Sequence, residues 1–324
     1  MSPIVLGVTH TRDPESFERL EAALRARGGR LLRVDSDLYP TELRVHAELG
    51  PEGYRGFLQT PAGERVDLEA IHAVWVRRLY VAHRLPKLEP SVRRACWRES
   101  TAAMLGLLSS LPALLVDDPH LVAQAEVKPW QWEMARRAGL RVIPTQMSNA
   151  PEATRAWAAA APRLITKMLA AGEVDTREGK GRVSTSAVEL ADLEDLSGLA
   201  LAPLTLQHRV EKALEVRAVV VGDRVFAAGV DSRGAAGGEV DWRRAAGELA
   251  ERFRPIEIPA PIAAALVRLN ASLGLRYGGA DLVLTPEGEW FFLEINPGGD
   301  WAWLDAIAGT DVAGALADLL MQGV

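Results

Sequence analysis

Near the end of the chain stand Gly279-Ala280-Asp281-Leu282-Val283 and, after the turn-like Thr285-Pro286-Glu287-Gly288-Glu289, the run Trp290-Phe291-Phe292-Leu293-Glu294-Ile295-Asn296-Pro297. Two apolar runs flanking a turn read as antiparallel strands joined by a short loop. That pairing predicts Asp281, Glu294 and Asn296 at matching ends of neighbouring strands. All three side chains offer oxygen. Hard Mg²⁺ prefers such ligands and completes its octahedron with water and substrate phosphates. The plainer reading of the same letters is a strand that opens on an aspartate and a strand that ends in an Asn-Pro turn.

Working outward, 324 residues suffice for a large core and for two or three domains. Hydrophobic residues at 48% and charged residues at 25% are ordinary for a soluble globular chain. A net charge of -6 gives no support for nucleic-acid binding. The single cysteine, Cys96, excludes an internal disulfide framework and a cysteine-rich metal site, and it fits a reducing cytoplasm. Its expected role is that of a small buried hydrophobe. The opening Met1-Ser2-Pro3-Ile4-Val5-Leu6-Gly7-Val8 lacks the basic and apolar regions of a signal peptide, and no apolar run is long enough to span a membrane. The expectation is a cytoplasmic protein with no membrane partner.

The first third reads as α/β. Ile4 to Val8 is a strand. Asp13-Pro14-Glu15 opens a helix with Phe17, Leu20 and Leu24 on one face, and Leu31 to Val34 is the next strand. Ala73 to Val76 is a strand, residues 91–109 a helix, and Leu114 to Val116 a strand running into Asp117-Asp118-Pro119. The first loop holds no Gly-x-Gly-x-x-Gly, so a dinucleotide fingerprint is absent. Asp-Asp-Pro marks a boundary. Beyond it the pattern predicts one helix from about His120 to Ala138, a helix over 151–161 and a strand at Leu164 to Lys167. Residues 172–184 are polar and glycine-containing and read as a mobile loop. Strands follow at Leu204 to Val210, Val216 to Val221 and Val225 to Val230, then helices over 261–273 and 312–321.

Several polar residues stand out. A lysine at the end of a buried strand, Lys167, is unusual unless its ammonium meets an anion; with Lys128 it could clamp a polyphosphate as a pair of point charges. Alone, each also fits a solvated surface lysine. Lys180 and backbone N–H groups of the 172–184 loop are available to phosphate oxygens. Glu215 and Arg217 alternate with Val216 and Ala218 and so share one strand face, which fits either a solvated face or a ribose carboxylate beside an anion-binding guanidinium. The six histidines show no metal-ligand spacing. No Gly-x-Ser-x-Gly elbow and no Gly-x-x-x-x-Gly-Lys-Ser/Thr loop occurs, so hydrolysis by a covalent nucleophile is poorly supported. Arg77, Arg78, Arg84, Lys87, Arg93, Arg94 and Arg98 read as a basic solvated helix face, with docking of an acidic peptide as the sharper alternative.

In order and spacing, Lys128, Lys167, the hinge after Leu206, Glu215-x-Arg217, Asp281 and Glu294-x-Asn296 resemble the ATP-grasp superfamily of carboxylate-activating ligases. A narrower likeness covers nearly the whole chain. Arg33-Val34-Asp35-Ser36-Asp37-Leu38-Tyr39-Pro40-Thr41, Trp75-Val76-Arg77-Arg78 and Glu294-Ile295-Asn296-Pro297-Gly298-Gly299-Asp300-Trp301-Ala302-Trp303 resemble segments of graspetide (microviridin-type) peptide ligases. The resemblance implies an ATP-grasp fold, part α/β and part α+β. Residues 1–118 would form a pre-ATP-grasp α/β domain. Residues 119–205 would form a central subdomain whose 172–184 loop covers phosphate, and residues 206–324 a C-terminal subdomain with the metal site.

The resemblance also assigns roles. Lys128 and Lys167 would hold the α- and β-phosphates of ATP, with Lys180 beside them. Backbone groups of Gln207, His208, Arg209 and Val210 would read adenine, and Glu215 would bind ribose. Arg217 would steady the substrate carboxylate or acyl phosphate, and Asp281, Glu294 and Asn296 would hold two Mg²⁺ ions. The implied substrate is a ribosomal precursor peptide with a leader, cross-linked through side-chain esters or amides, and the implied assembly is a homodimer. This chain departs from the family in Gln207-His208-Arg209-Val210 at the hinge, in Val127 before Lys128, and in Asp300 after Gly299. Two rivals share the same residues: a ligase that uses free amino acids or adds an amino acid to a protein, and a binding protein that has lost turnover. Of Trp301 and Trp303, one is expected in the core and the other at the peptide site.

Overall fold

A computed structural model describes residues 2–13, 15–161, 163–170, 173–176, 179–182, 185–233 and 249–323. Strands β1 (Ile4–Thr9), β2 (Arg30–Asp35), β6 (Ile71–Val76) and β7 (Leu114–Val116) form a parallel sheet in the order β2-β1-β6-β7. Their apolar runs are buried, as parallel strands covered by helices require. Helix α1 (Glu15–Ala26) turns Phe17, Leu20 and Leu24 into the core, and α2 (Pro90–Ser110) turns in Met104, Leu107 and Leu108. Between β2 and β6 runs an antiparallel sheet of β3 (Arg44–Gly50), β4 (Gly53–Gln59) and β5 (Arg65–Asp67). Sequence reading passed over these strands.

The single helix expected from His120 to Ala138 is two: α3 (Pro119–Ala125) and α4 (Lys128–Arg137). Pro129 has no N–H to donate to a preceding turn, so one helix cannot run through it, and it sits instead in the first turn of a new helix. Lys128 is therefore the first residue of a helix, not an interior one. Next come β8 (Thr145–Ser148), α5 (Pro151–Ala159) and β9 (Leu164–Thr166). The segment expected as a mobile loop holds paired strands, β10 (Glu173–Thr176) and β11 (Gly179–Arg182). With β12 (Ser186–Val188) and β13 (Leu204–His208), the central sheet runs β12-β9-β13-β8, antiparallel throughout.

The C-terminal sheet runs β16-β15-β14-β17-β18, from β14 (Leu214–Val221), β15 (Arg224–Val230), β16 (Arg254–Pro255), β17 (Tyr277–Leu284) and β18 (Trp290–Asn296). Helix α6 (Ala260–Ser272) covers one of its faces through Ala265, Leu266 and Leu269. Helices α7 (Ala302–Ala308) and α8 (Val312–Gln322) cover the other and also meet α1, so Trp75, Phe17, Val219, Trp301 and Leu316 share a core. No helix among the described residues is long and apolar enough to cross a membrane.

Candidate active site

The two strands that decided the reading pair antiparallel, with Asp281 directly opposite Glu294 and Gly279 opposite Asn296. The register slips between Asp281 and Leu282, leaving Leu293 as an extra residue on β18. Asn296 Nδ2 donates to Asp281 Oδ2 at 3.3 Å. Two carboxylates and an amide thus share one patch, and cations interleave them. Lys128 Nζ lies 3.2 Å from Glu294 Oε2, and Arg217 Nη1 lies 3.1 Å from Asp281 Oδ1. Arg217 Nη1 also donates to Gly279 O at 3.0 Å. The donor set is wholly hard oxygen, with neither thiolate nor imidazole, and fits Mg²⁺ that takes its remaining ligands from phosphate and water.

These groups lie at one cleft. Its walls include Lys167, Gln207, His208, Arg209, Val210, Glu215, Arg217, Asp281 and Glu294. Lys128 and Asn296 adjoin it through their bonds to Glu294 and Asp281. Lys180 lies on β11, and its side chain falls outside the described residues. Lys167 follows β9, half-buried, with Nζ 4.9 Å from the centre of the Trp132 ring, a cation–π distance.

Glu215 and Arg217 share the cleft face of β14, while Val216 and Ala218 pack into the core behind it. Lys212, given no role from sequence, reaches Glu215 Oε1 at 3.2 Å. Gln207 is buried and donates from Nε2 to Thr145 Oγ1 at 2.8 Å. The backbone N–H groups of His208 and Arg209 bond to Pro144 O and Arg163 O at 3.0 and 2.9 Å. A base at this segment would therefore be read by other groups of 207–210. Ile143, Leu282 and Leu293 supply apolar walls.

The family-like N-terminal segments reach the site indirectly. Arg77, expected on a solvated face, is 4% exposed at the end of β6. Its guanidinium bonds Gly298 O and faces Asp13 Oδ2 at 3.4 Å and Asp300 Oδ1 at 3.5 Å. Tyr277 Oη donates to Gly299 O at 2.6 Å. A Cβ on Gly299 would lie 3.0 Å from Asn296 O and 3.3 Å from Gly279 Cα, so the loop after β18 is pressed against both ligand strands. Arg84 binds Asp37, whose carboxyl stays below the ordinary aspartate range: burial pushes it up, but Thr11 hydrogen bonds and the Arg84 charge outweigh that. Arg84 and Lys87 are exposed in the segment before α2, and Arg93, Arg94 and Arg98 are exposed on α2 itself. Cys96, expected buried, is half-buried there. Trp301 is the core tryptophan, and Trp303 meets the cleft-lining Phe253 edge-on at 4.8 Å.

The fold that carries this site recurs in solved structures. Residues 4–122 match the family described as the MvdD pre-ATP grasp domain. A search of curated proteins finds no match. Among solved structures, the Chryseobacterium gregarium RiPP-associated ATP-grasp ligase, in complex with ADP and a leader and core peptide, is 27% identical, with a TM-score of 0.93 over 99% of this chain and 97% of that one. The macrocyclase MdnC of Microcystis aeruginosa, bound with precursor peptide MdnA, is 31% identical, with a TM-score of 0.87 over 98% of this chain and 99% of that one. The ATP-grasp ligase PsnB, complexed with a phosphomimetic variant of its minimal precursor, Mg and ADP, is 26% identical, with a TM-score of 0.78 over 99% and 98%. With more than 30% identity to MdnC along essentially its whole length, this chain belongs to the family of RiPP-associated ATP-grasp ligases.

Proposed function

We propose that this protein activates Asp or Glu side chains of a ribosomal precursor peptide with ATP and closes ω-ester or ω-amide macrocycles, as in microviridin-type graspetides. The observation that carries the reading is the convergence of Lys167, Glu215, Arg217, Asp281 and Glu294 on one cleft. The nucleotide would lie with its base at 207–210, its ribose at Glu215 and its phosphates toward Lys128 and Lys167, with Lys180 on the covering hairpin. Asp281, Glu294 and Asn296 would hold Mg²⁺, two ions in this reading, which when bound neutralises charge on the phosphates.

Arg217 would orient the peptide carboxylate in line with the γ-phosphorus. A carboxylate oxygen bonds to that phosphorus as the bond to the ADP oxygen breaks, giving an acyl phosphate. A Ser, Thr or Tyr hydroxyl, or a Lys amine, then attacks the acyl carbon, loses its proton and expels phosphate. The peptide loses one water per ring, and no enzyme nucleophile is used. The lysines and Arg217 stabilise charge as it develops, in a cleft whose apolar walls limit water. A leader segment would bring the peptide to a cytoplasmic homodimer.

The test is co-expression with a candidate precursor peptide and measurement of its intact mass. Loss of one or more waters that disappears in Glu294→Gln is the expected result. An unchanged peptide, with ATP consumed on free amino acids instead, would overturn the peptide reading. Equal dehydration in wild type and Glu294→Gln would overturn the metal-site assignment.

A further inference from the structure

Strand β18 is the edge of its sheet, and among the described residues its outer row of backbone groups meets other backbone only in an isolated bridge at Val142, where Phe292 N donates to Arg141 O at 2.8 Å. Helix α4 closes that row at the residues that matter. Gln131, one turn after Lys128, is 2% exposed and its carboxamide makes three hydrogen bonds. Nε2 donates to Ala125 O at 2.6 Å and to Ile295 O at 2.8 Å, while Oε1 accepts from Ile295 N at 3.0 Å. One side chain thus exchanges both an N–H and a C=O bond with Ile295, as a neighbouring antiparallel strand would. Ile295 is the residue between Glu294 and Asn296, and its own side chain is buried in the opposite direction.

The next residue completes the arrangement. Trp132 Nε1 donates to Leu293 O at 3.0 Å. Leu293 is the residue of the register slip, the one left without a partner on β17. Pairing with β17 sets Glu294 opposite Asp281 just beyond the slip; the bond from Trp132 holds Leu293, the unpaired residue between the two registers, and Gln131 holds the residue between the two ligands. The Trp132 ring also lies against the Lys167 ammonium.

We propose that Gln131 and Trp132 are positioning residues. They set the spacing of Glu294 and Asn296 and tie it to Lys128 and Lys167, so that the metal ligands and the phosphate lysines move as one unit. This rests on the assignment of Glu294 and Asn296 as Mg²⁺ ligands. Groups that orient a ligand without touching the metal commonly change its affinity by about 10- to 100-fold.

The test is calorimetric ADP binding to the full chain across a Mg²⁺ titration, with no turnover required, together with hydrogen exchange of the segment 290–296 and thermal melting. Gln131→Met is expected to raise the Mg²⁺ concentration for half-maximal ADP binding about 10-fold and to speed exchange at Ile295. Trp132→Phe keeps an aromatic ring near Lys167 and removes the bond to Leu293 together with part of the buried ring, so it should move the Mg²⁺ requirement in the same direction with ADP affinity at saturating Mg²⁺ unchanged. A lowered melting temperature with an unmoved Mg²⁺ midpoint in either variant would show mere structural support and overturn the proposal. Glu294→Gln separates the two levels. If it leaves Mg²⁺-dependent ADP binding intact, the ligand assignment falls. If it abolishes that binding while Gln131→Met and Trp132→Phe titrate like wild type, only the positioning role falls.

Discussion

Arg217 answers to two acceptors at once, the Asp281 carboxylate and the Gly279 carbonyl, from one nitrogen of a planar fork. A lysine keeps the charge but not the fork. Arg217→Lys should leave the fold intact by circular dichroism and cut ADP formation by roughly 10²-fold or more, the scale of a lost transition-state donor; near-wild-type rates would sink the role given to Arg217. Asp117 bears on stability instead. It is buried at the end of β7 and accepts from Arg276 N at 2.7 Å and Tyr277 N at 3.0 Å, at the start of the strand that carries Asp281. Burial pushes its carboxyl up to about 7, against the pull of those two N–H groups and the Arg276 charge, with Asp118 adding repulsion. A folded value above the ordinary 3.8 means that the folded state holds the proton more tightly. The associated stability is present in full below about pH 4 and is lost as pH rises through about 7. Thermal melts from about pH 5 to 8 should fall more steeply for wild type than for Asp117→Asn, and parallel curves would refute the assignment. At this scale the sequence was readable where polar residues interrupt apolar strands, as at Lys167, Glu215, Arg217, Asp281 and Glu294. Gln131, Trp132 and the buried state of Arg77 were not readable, because side-chain bonds to distant backbone leave no spacing in the chain.

The elements that sequence reading recovered are those whose apolar period is strong. Strands β1, β6, β14 and β17 are buried runs, and α1 and α6 show clean helical faces. Those it lost have weak or misleading patterns. Strand β3 is exposed along nearly its whole length, so no alternation marks it. The glycines of 172–184 hide the pairing of β10 with β11. Pro129 was the available signal for the break between α3 and α4. Gly56 in β4 shows what such a strand depends on. Its φ is +138°, and a Cβ there would lie 2.0 Å from His46 O on the paired strand β3. That neighbour is backbone and cannot rotate away. Gly56→Ala should therefore destabilise the protein by about 2–4 kcal/mol through strain and a forced shift of the β3–β4 pair, read as a lower midpoint in urea unfolding. An unchanged midpoint would mean that this sheet opens without cost to the rest.

At the scale of the whole molecule, the boundary suggested by Asp117-Asp118-Pro119 separates sequence but not core. Phe17 and Trp75, whose rings lie 5.0 Å apart, pack with Trp301, Val219 and Leu316 from the far end of the chain, and Trp75 and Trp301 are 6.4 Å apart. Arg27, just past α1, meets Asp318 on α8 at 2.5 Å, and Asp117 holds the start of β17. Arg77 crosses the same divide. Its buried guanidinium holds the Gly298 carbonyl and faces two carboxylates, so Arg77→Met would leave a buried acceptor and an uncompensated Asp13. The cost should be about 3–5 kcal/mol, the scale of a broken buried pair, seen in denaturant unfolding, and a cost below about 1 kcal/mol would show that the loop after β18 is held without it. If the N-terminal sheet and the C-terminal half share one core, they should also unfold together. The full chain should then melt with its tryptophan fluorescence and far-ultraviolet circular dichroism coincident across the transition that exposes Trp75 and Trp301. A fragment of residues 1–118 would leave the faces of Phe17, Leu20, Leu24 and Trp75 without their cover, apolar surface that the separated piece cannot bury. It should show no cooperative melt by itself and should recover one when mixed with residues 119–324. A sharp transition in the lone fragment would instead make the N-terminal sheet an independent folding unit, and Arg77 would then be a contact between two finished domains rather than part of what finishes them.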